Sequence, residues 1–230
     1  MKSYFITGTD TGVGKTAITA AIAASLRKRG IDVGVMKPIA SGVAQRTGFK
    51  SSDAALLHES AAVNDSEYTI NPIFLSLPAS PYDASKTLNM KIDMNVVSEQ
   101  FENLLKIHQM LLVEGIGGIM TPIMKDFFVA DMIKQMKLEA IVVTRSTLGT
   151  LNHTIMTLEM CKKYKIPVKG VIINYFDEKG GVAEKNAPST LYEITEIPIL
   201  GIIPFVKDYQ KLETMTNIVE KNVDLSLLIS

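Results

Sequence analysis

The sequence predicts a doubly wound α/β fold with a mostly parallel sheet, and three features carry that prediction. Short apolar runs rich in β-branched residues alternate with segments whose apolar residues recur every three or four positions. The runs are apolar throughout rather than alternating, as expected of strands covered on both faces. The first run opens into a glycine-rich turn, and a helical pattern follows at once.

Taken in order, the strand-like runs are 3–6, 32–36, 110–113, 140–144, 168–174 and 199–203. After the first, Ile18, Ala21, Ile22 and Leu26 keep helical spacing. That segment ends in Arg27, Lys28, Arg29 and Gly30, cations facing the negative end of a helix dipole and then a terminating glycine. Val97, Phe101, Leu104, Leu105 and His108 mark a second helix, with Asn95 as its expected N-cap. Val129, Met132, Ile133 and Met136 mark a third, and Leu151, Ile155 and Leu158 a fourth. Leu212, Met215, Ile218 and Val219 mark a short last one. Repeated strand–helix–strand units imply parallel pairing with right-handed crossovers, here in a single domain over 1–230. Residues 43–91, rich in Ser, Asn, Pro and Asp, read as the least regular stretch, a long and therefore functional loop.

Composition narrows the function. The 230 residues carry no net charge, so nothing global favours nucleic acid or an anionic membrane. Apolar residues make up 47% and charged residues 21%, the balance of a folded globular chain. The single cysteine, Cys161, admits no disulfide within the chain. No secretory h-region follows Met1, and no run approaches the roughly 18 apolar residues that span a bilayer. The expected location is the cytoplasm.

In an open parallel sheet, ligands sit beyond the carboxyl ends of the strands. The first such place is 8–16, reading Gly-Thr-Asp-Thr-Gly-Val-Gly-Lys-Thr. A phosphate loop needs small residues so that successive N–H groups can face phosphate oxygens, a lysine for the β- and γ-phosphates and a hydroxyl for Mg²⁺. Gly14, Lys15 and Thr16 fill the last three positions. The nucleotide contacts are therefore expected from Thr9, Asp10, Gly12, Val13, Gly14, Lys15, Thr16 and Ala17. One departure stands out: five residues separate Gly8 from Gly14 instead of four, so the first-glycine position falls on Thr9.

Glu114 ends the third run and precedes Gly115-Ile-Gly117-Gly118, a strand-tip carboxylate where the chain can pass close to a nucleotide. It is a candidate Mg²⁺ ligand, since that ion is held by one or two carboxylates with phosphates and water. A solvent-exposed strand-end Glu reads the same way. Asp53 serves equally as a metal ligand or as a helix cap. Lys37, at the tip of the second run with Ser41 and Gly42 beyond it, could hold a second anion facing the γ-phosphate or simply lie in solvent.

Together these motifs resemble the dethiobiotin synthetase family. GTDTGVGKT, MKPIASG, SSDA, the Ser80-Pro81 step, VEGIGG, LGTLNHT, VIIN at 171–174 and ILGIIP occur in the family's order across about 1–205. The resemblance implies a homodimer that makes dethiobiotin from 7,8-diaminopelargonate, CO₂ and MgATP. It implies Mg²⁺ on Thr16, Asp53 and Glu114, and Lys15 on phosphate. Thr11, Lys37 and Ser41 match positions around the substrate amines and the nascent carbamate, with Ser80 and Pro81 beside them. Gly149, Thr150 and Asn152 match a helix start that binds the substrate carboxylate across the dimer interface. Gly117, Asn174 and backbone near Pro204 match the nucleotide site, Asn174 recognising the base. Asn174 begins N-Y-F-D, without the lysine that GTPases carry there. Arg145 adds a cation with no counterpart in this assignment.

Two other readings compete. A cobyrinate-type amidoligase shares the VEGIGG-like element but brings a glutaminase domain with a reactive cysteine, whereas Cys161 sits in a helical pattern. A MinD/ParA-like ATPase switch carries a signature lysine where this chain has Thr9. His58, His108 and His153 have no metal-ligand spacing and read as surface or packed side chains.

Overall fold

The computed structural model describes residues 2–206 and 211–229. Six strands form one sheet in the order β10-β9-β8-β1-β5-β2: β1 (Tyr4–Gly8), β2 (Val33–Met36), β5 (Met110–Glu114), β8 (Glu139–Arg145), β9 (Val168–Phe176) and β10 (Ile199–Pro204). Every neighbouring pair is parallel. All six predicted runs are strands of this sheet.

Alternate side chains of β1 show why its run is apolar throughout. Tyr4 and Ile6 join one core with α1 (Lys15–Lys28), α2 (Ser52–Ala61) and α9 (Leu212–Asn222), while Phe5 joins another. That second core holds α5 (Met94–Ile107), α6 (Val129–Met136) and part of α7 (Thr150–Tyr164). Leu158 of α7 and Leu191 of α8 (Val182–Thr195) cover the β8–β9 end. Ile18, Ile22 and Leu26 of α1 are fully buried, each burial contributing about 1.5–3 kcal/mol. The helix closes as expected, with Arg27 and Lys28 in its last turn and Gly30 at φ +81°.

The structure corrects the reading of 43–91 as a long irregular loop. It holds β4 (Ile73–Leu75), which pairs with β3 (Ile39–Ser41) in a parallel two-stranded sheet. It also holds α2, α3 (Glu67–Ile70) and α4 (Pro81–Thr87). Three of the serines that suggested a loop are helix caps. Ser51, Ser66 and Ser80 accept from the N–H groups of Ala54, Thr69 and Asp83, and Pro81 sits in the first turn of α4. The cap of α5 is Asp93, which accepts from the N–H of Asn95, and not Asn95 itself. His108 lies just beyond that helix as its C-cap.

A second two-stranded sheet, this one antiparallel, pairs β6 (Pro122–Met124) with β7 (Phe127–Phe128), and a closing α10 (Ser226–Ile229) completes the described elements. Helix α8 also escaped the sequence reading, because Pro188 lies inside it. A proline removes the N–H that would bond four residues back, here to the Glu184 carbonyl. That carbonyl instead accepts from the Ser146 hydroxyl at 3.0 Å.

Candidate active site

The carboxyl ends of β1, β2 and β5 open onto a cavity of about 1090 Å³. Thr11, Gly12, Gly14, Lys15, Thr16, Ala17, Lys37, Ser41, Asp53, Ser80, Glu114 and Gly117 all line it. Residues far apart in sequence are thus brought to one place.

The phosphate loop is shaped by Gly14. Its φ of +96° suits glycine, and a Cβ there would meet the Asn174 amide nitrogen at 2.1 Å. Gly14 is also the N-cap of α1, and no side chain caps that end, so the first-turn N–H groups stay open to an anion. The Lys15 ammonium folds back to donate to the Asp10 carbonyl at 2.9 Å. Burial first, and then the nearby Lys37 charge, pull the Lys15 pKa down to about 8.

Opposite the loop, Lys37 and Glu114 form a buried pair. The Lys37 ammonium donates to Glu114 Oε1 at 2.6 Å and to the Gly115 carbonyl at 3.1 Å, and lies 3.0 Å from Asp53 Oδ2. Burial works against its charge, but the two carboxylates outweigh that and hold its pKa above the ordinary lysine value. Burial likewise disfavours the Asp53 carboxylate, and Lys37 and its hydrogen bond more than compensate, keeping the pKa low. Glu114 is completely buried at 0% exposure, so neither the solvated strand-end Glu nor the solvated Lys37 describes this site.

The donors suit Mg²⁺. Glu114 Oε2 is buried with no hydrogen-bond partner, its Oε1 accepts from the Thr16 hydroxyl at 2.7 Å, and Asp53 faces the same point. The charge that the carboxylates require is supplied by Lys37. Among the described residues no group of three or more His, Cys, Asp or Glu side chains could hold a metal. Two carboxylates and a hydroxyl are a hard-oxygen set of the kind that holds Mg²⁺ together with phosphates and water.

Comparison with known proteins fits this geometry. A family model described as an AAA domain matches residues 2–213. The ATP-dependent dethiobiotin synthetase BioD of Nitrosopumilus maritimus is 52% identical over 100% of both chains. That of Thermodesulfovibrio yellowstonii is 45% identical over 99% of this chain and 98% of its own. The Bacillus subtilis (strain 168) enzyme is 35% identical over 100% and 98%. The chain belongs to the dethiobiotin synthetase family.

Members of that family are ATP-dependent ligases, and the likeness to ATPase switches is one of fold alone. A ParA family ATPase from Chlorobium tepidum aligns at TM-score 0.56 with 18% identity, covering 96% of this chain and 93% of its own. The Aquifex aeolicus MinD cell division protein aligns at 0.57 with 19%, covering 95% and 89%.

Within the family assignment, several expected residues lie off the cavity. Thr9, Asp10 and Val13 belong to the loop without lining it, and Pro81 is buried at the start of α4 behind Ser80. The Asn174 amide donates to the Val13 carbonyl at 2.9 Å, so in this structure it braces the loop. Pro204 ends β10, opposite Phe176. Gly149, Thr150 and Asn152 at the start of α7 also lie outside it.

Three residues with no role in the sequence reading are tied to the site. Arg145 donates to the Gly12 carbonyl through Nε at 3.1 Å and through Nη2. It also stacks 5.1 Å from the ring centroid of Tyr175. Tyr175 lines the cavity from a left-handed backbone, φ +55°, unusual outside glycine. Buried Asn71 donates to the Lys37 carbonyl at 2.6 Å, while the Lys37 N–H donates to the Ile70 carbonyl at 2.8 Å. Both backbone groups of the buried lysine are thereby fixed. Only the Asn-Pro step at 71–72 hinted at a special position.

Proposed function

We propose that this chain carboxylates 7,8-diaminopelargonate with CO₂ and closes the ring to dethiobiotin at the expense of ATP, releasing ADP and phosphate. The observation that carries the proposal is a single cavity in which two buried lysines, Lys15 and Lys37, face each other from the phosphate loop and the β2 tip. A carbamate and a triphosphate are both anions, and bringing them together requires cations on both sides.

Lys15 and the open N-terminus of α1 hold the β- and γ-phosphates. One amine of the substrate adds to CO₂ and gives up a proton to solvent, and Lys37, with Thr11 and Ser41 lining the same cavity, holds the resulting carbamate. Thr16, Asp53 and Glu114 would hold Mg²⁺, which neutralises phosphate charge when bound. A carbamate oxygen then attacks the γ-phosphorus in line and ADP departs, leaving a carbamic–phosphoric anhydride. The second amine attacks the anhydride carbon and loses its proton. The C–O bond to phosphate breaks, and the cyclic urea remains. Positioning and charge stabilisation do the work, and no side chain becomes covalently attached.

We read 1–230 as one catalytic domain working as a homodimer in the cytoplasm. Gly149, Thr150 and Asn152 then bind the substrate carboxylate in the partner's site, a role suited to their position outside the cavity. Leu148 and Met156, 84% and 60% exposed on the same helix region, offer an apolar surface for such a contact. Asn174 and Pro204 are assigned to the base, with Ser80 and Pro81 on the substrate side. No described helix is long and apolar enough to cross a membrane.

Oxygen labelling tests the anhydride. With ¹⁸O-labelled CO₂, each phosphate released carries one labelled oxygen, since the carbamate oxygen leaves on phosphorus. Unlabelled phosphate under conditions of slow CO₂ exchange with water would rule the intermediate out.

A further inference from the structure

Thr9 stands where a phosphate loop ordinarily has glycine, and nothing in the mechanism uses its side chain. Its hydroxyl lies 3.2 Å from that of Thr144 on β8. The Thr144 hydroxyl also meets the Thr150 hydroxyl at 2.9 Å and accepts from Thr154 at 2.9 Å. Thr144 and Thr154 are 1% and 0% exposed and Thr150 only 7%, so bulk water does not compete.

A hydroxyl has one proton to donate and two lone pairs to accept with. Three partners therefore saturate Thr144. With Thr154 donating, one of Thr9 and Thr150 must donate to Thr144 and the other must accept. The direction of one bond fixes that of the other, and Thr144 joins the start of the phosphate loop to the first residue of α7. The same strand end grips the loop twice more, since the Thr9 N–H donates to the Val143 carbonyl at 3.0 Å and Arg145 reaches the Gly12 carbonyl.

Nucleotide binding has a direct route to this junction. Lys15 donates to the Asp10 carbonyl, next to Thr9, and phosphate oxygens compete for the same ammonium. Phosphate oxygens that take it leave the carbonyl beside Thr9 without that donor, one residue from the hydroxyl bonded to Thr144.

We infer that Thr144 is a positioning residue that couples the phosphate loop to the start of α7, so that nucleotide and diaminopelargonate bind cooperatively. The inference rests on the reading of Gly149, Thr150 and Asn152 as the substrate-carboxylate site. Its loss leaves each ligand able to bind alone and removes only the effect of one on the other.

Calorimetry on the full-length protein measures it. The dissociation constant of diaminopelargonate is taken with and without a non-hydrolysable ATP analogue and Mg²⁺, in wild type, Thr144→Val and Thr144→Ser. The wild type tightens about tenfold with the analogue, within the usual range of coupling between sites. Thr144→Ser keeps the hydroxyl and the tightening, while Thr144→Val brings the ratio close to one. A ratio in Thr144→Val equal to that of wild type overturns the inference, as does a wild type with no tightening. If Thr144→Val does not fold, Thr154→Val removes the donor that saturates Thr144, frees the directions of its other two bonds and must show the same lost ratio; an unchanged ratio there also overturns it. Failure of diaminopelargonate to bind wild-type protein at all brings down the function reading and this inference with it, whereas binding without coupling removes the inference alone.

Discussion

Lys37 is the residue on which the site turns. Its ammonium is buried among Glu114, Asp53 and the Gly115 carbonyl, and its backbone is fixed on both sides by Ile70 and Asn71. Replacing it by glutamine keeps the length and removes the charge that is proposed to hold the carbamate. Lys37→Gln is expected to lower kcat by about a hundredfold or more, the scale on which transition-state donors act, with little change in ATP affinity. Turnover within a few-fold of wild type would take Lys37 out of the chemistry. Lys15 gives a pH dependence of definite sign. Its pKa in the free protein, about 8, lies below the ordinary 10.5, so the neutral form is favoured by folding. Above pH 8 the free protein has lost this proton and must regain it to bind phosphate. ATP affinity should therefore fall as pH rises from 8, with net proton uptake on binding, measurable by calorimetry in buffers of different ionisation enthalpy. In the free protein the same titration acts oppositely: between about 8 and 10.5 stability gains as the buried charge is shed. Affinity that is flat from pH 7 to 9.5 would contradict the assignment.

At the scale of elements, α2 is held at both ends. Asp53 in its first turn reaches Lys37, while Asp65, just past its C-terminal end, is bonded to His108 Nε2 at 2.9 Å. His108 Nδ1 meets Asp32 Oδ1 at the same distance, so one imidazole joins the approaches to β2, α3 and β5. Burial lowers its pKa, but the hydrogen bonds to Asp32 and Asp65 outweigh burial and raise it above 6.5. A raised pKa means that the stabilisation is fully present below 6.5 and disappears as pH climbs through the folded value. His108→Gln should accordingly lower the melting temperature by several degrees at pH 6 and by much less at pH 9. Equal losses at both values would reduce the contact to packing. This clamp was invisible in the sequence, where His108 looked like the last turn of a helix, because its partners lie 43 and 76 positions away. Helices α2, α3 and α4 were missed for a different reason. They are short, and their capping serines resemble loop residues when counted by composition instead of position.

For the molecule as a whole, the main sheet was readable because each strand is buried on both faces and so apolar along its length. The phosphate loop was readable because its chemistry is local. Lys15, Thr16, Lys37, Asp53 and Glu114 could be nominated from strand ends and motifs, and the fold brings all five to one cavity. What stayed hidden depends on contacts between distant segments: Arg145 on Gly12, Asn71 on Lys37, Asn174 on Val13 and the threonines around Thr144. The likeness to MinD and ParA proteins fixes a fold that serves several functions and cannot choose among them. The choice rests on the dethiobiotin synthetases matched along the whole chain, and the proposed mechanism on two anions being held together between Lys15 and Lys37. The most direct test is the product balance of purified protein given MgATP, bicarbonate and 7,8-diaminopelargonate. Dethiobiotin and phosphate should form in equal amounts, with no phosphate beyond a slow background when the diamine is left out. ATP hydrolysis at the same rate with or without the diamine, and no dethiobiotin, would contradict the account.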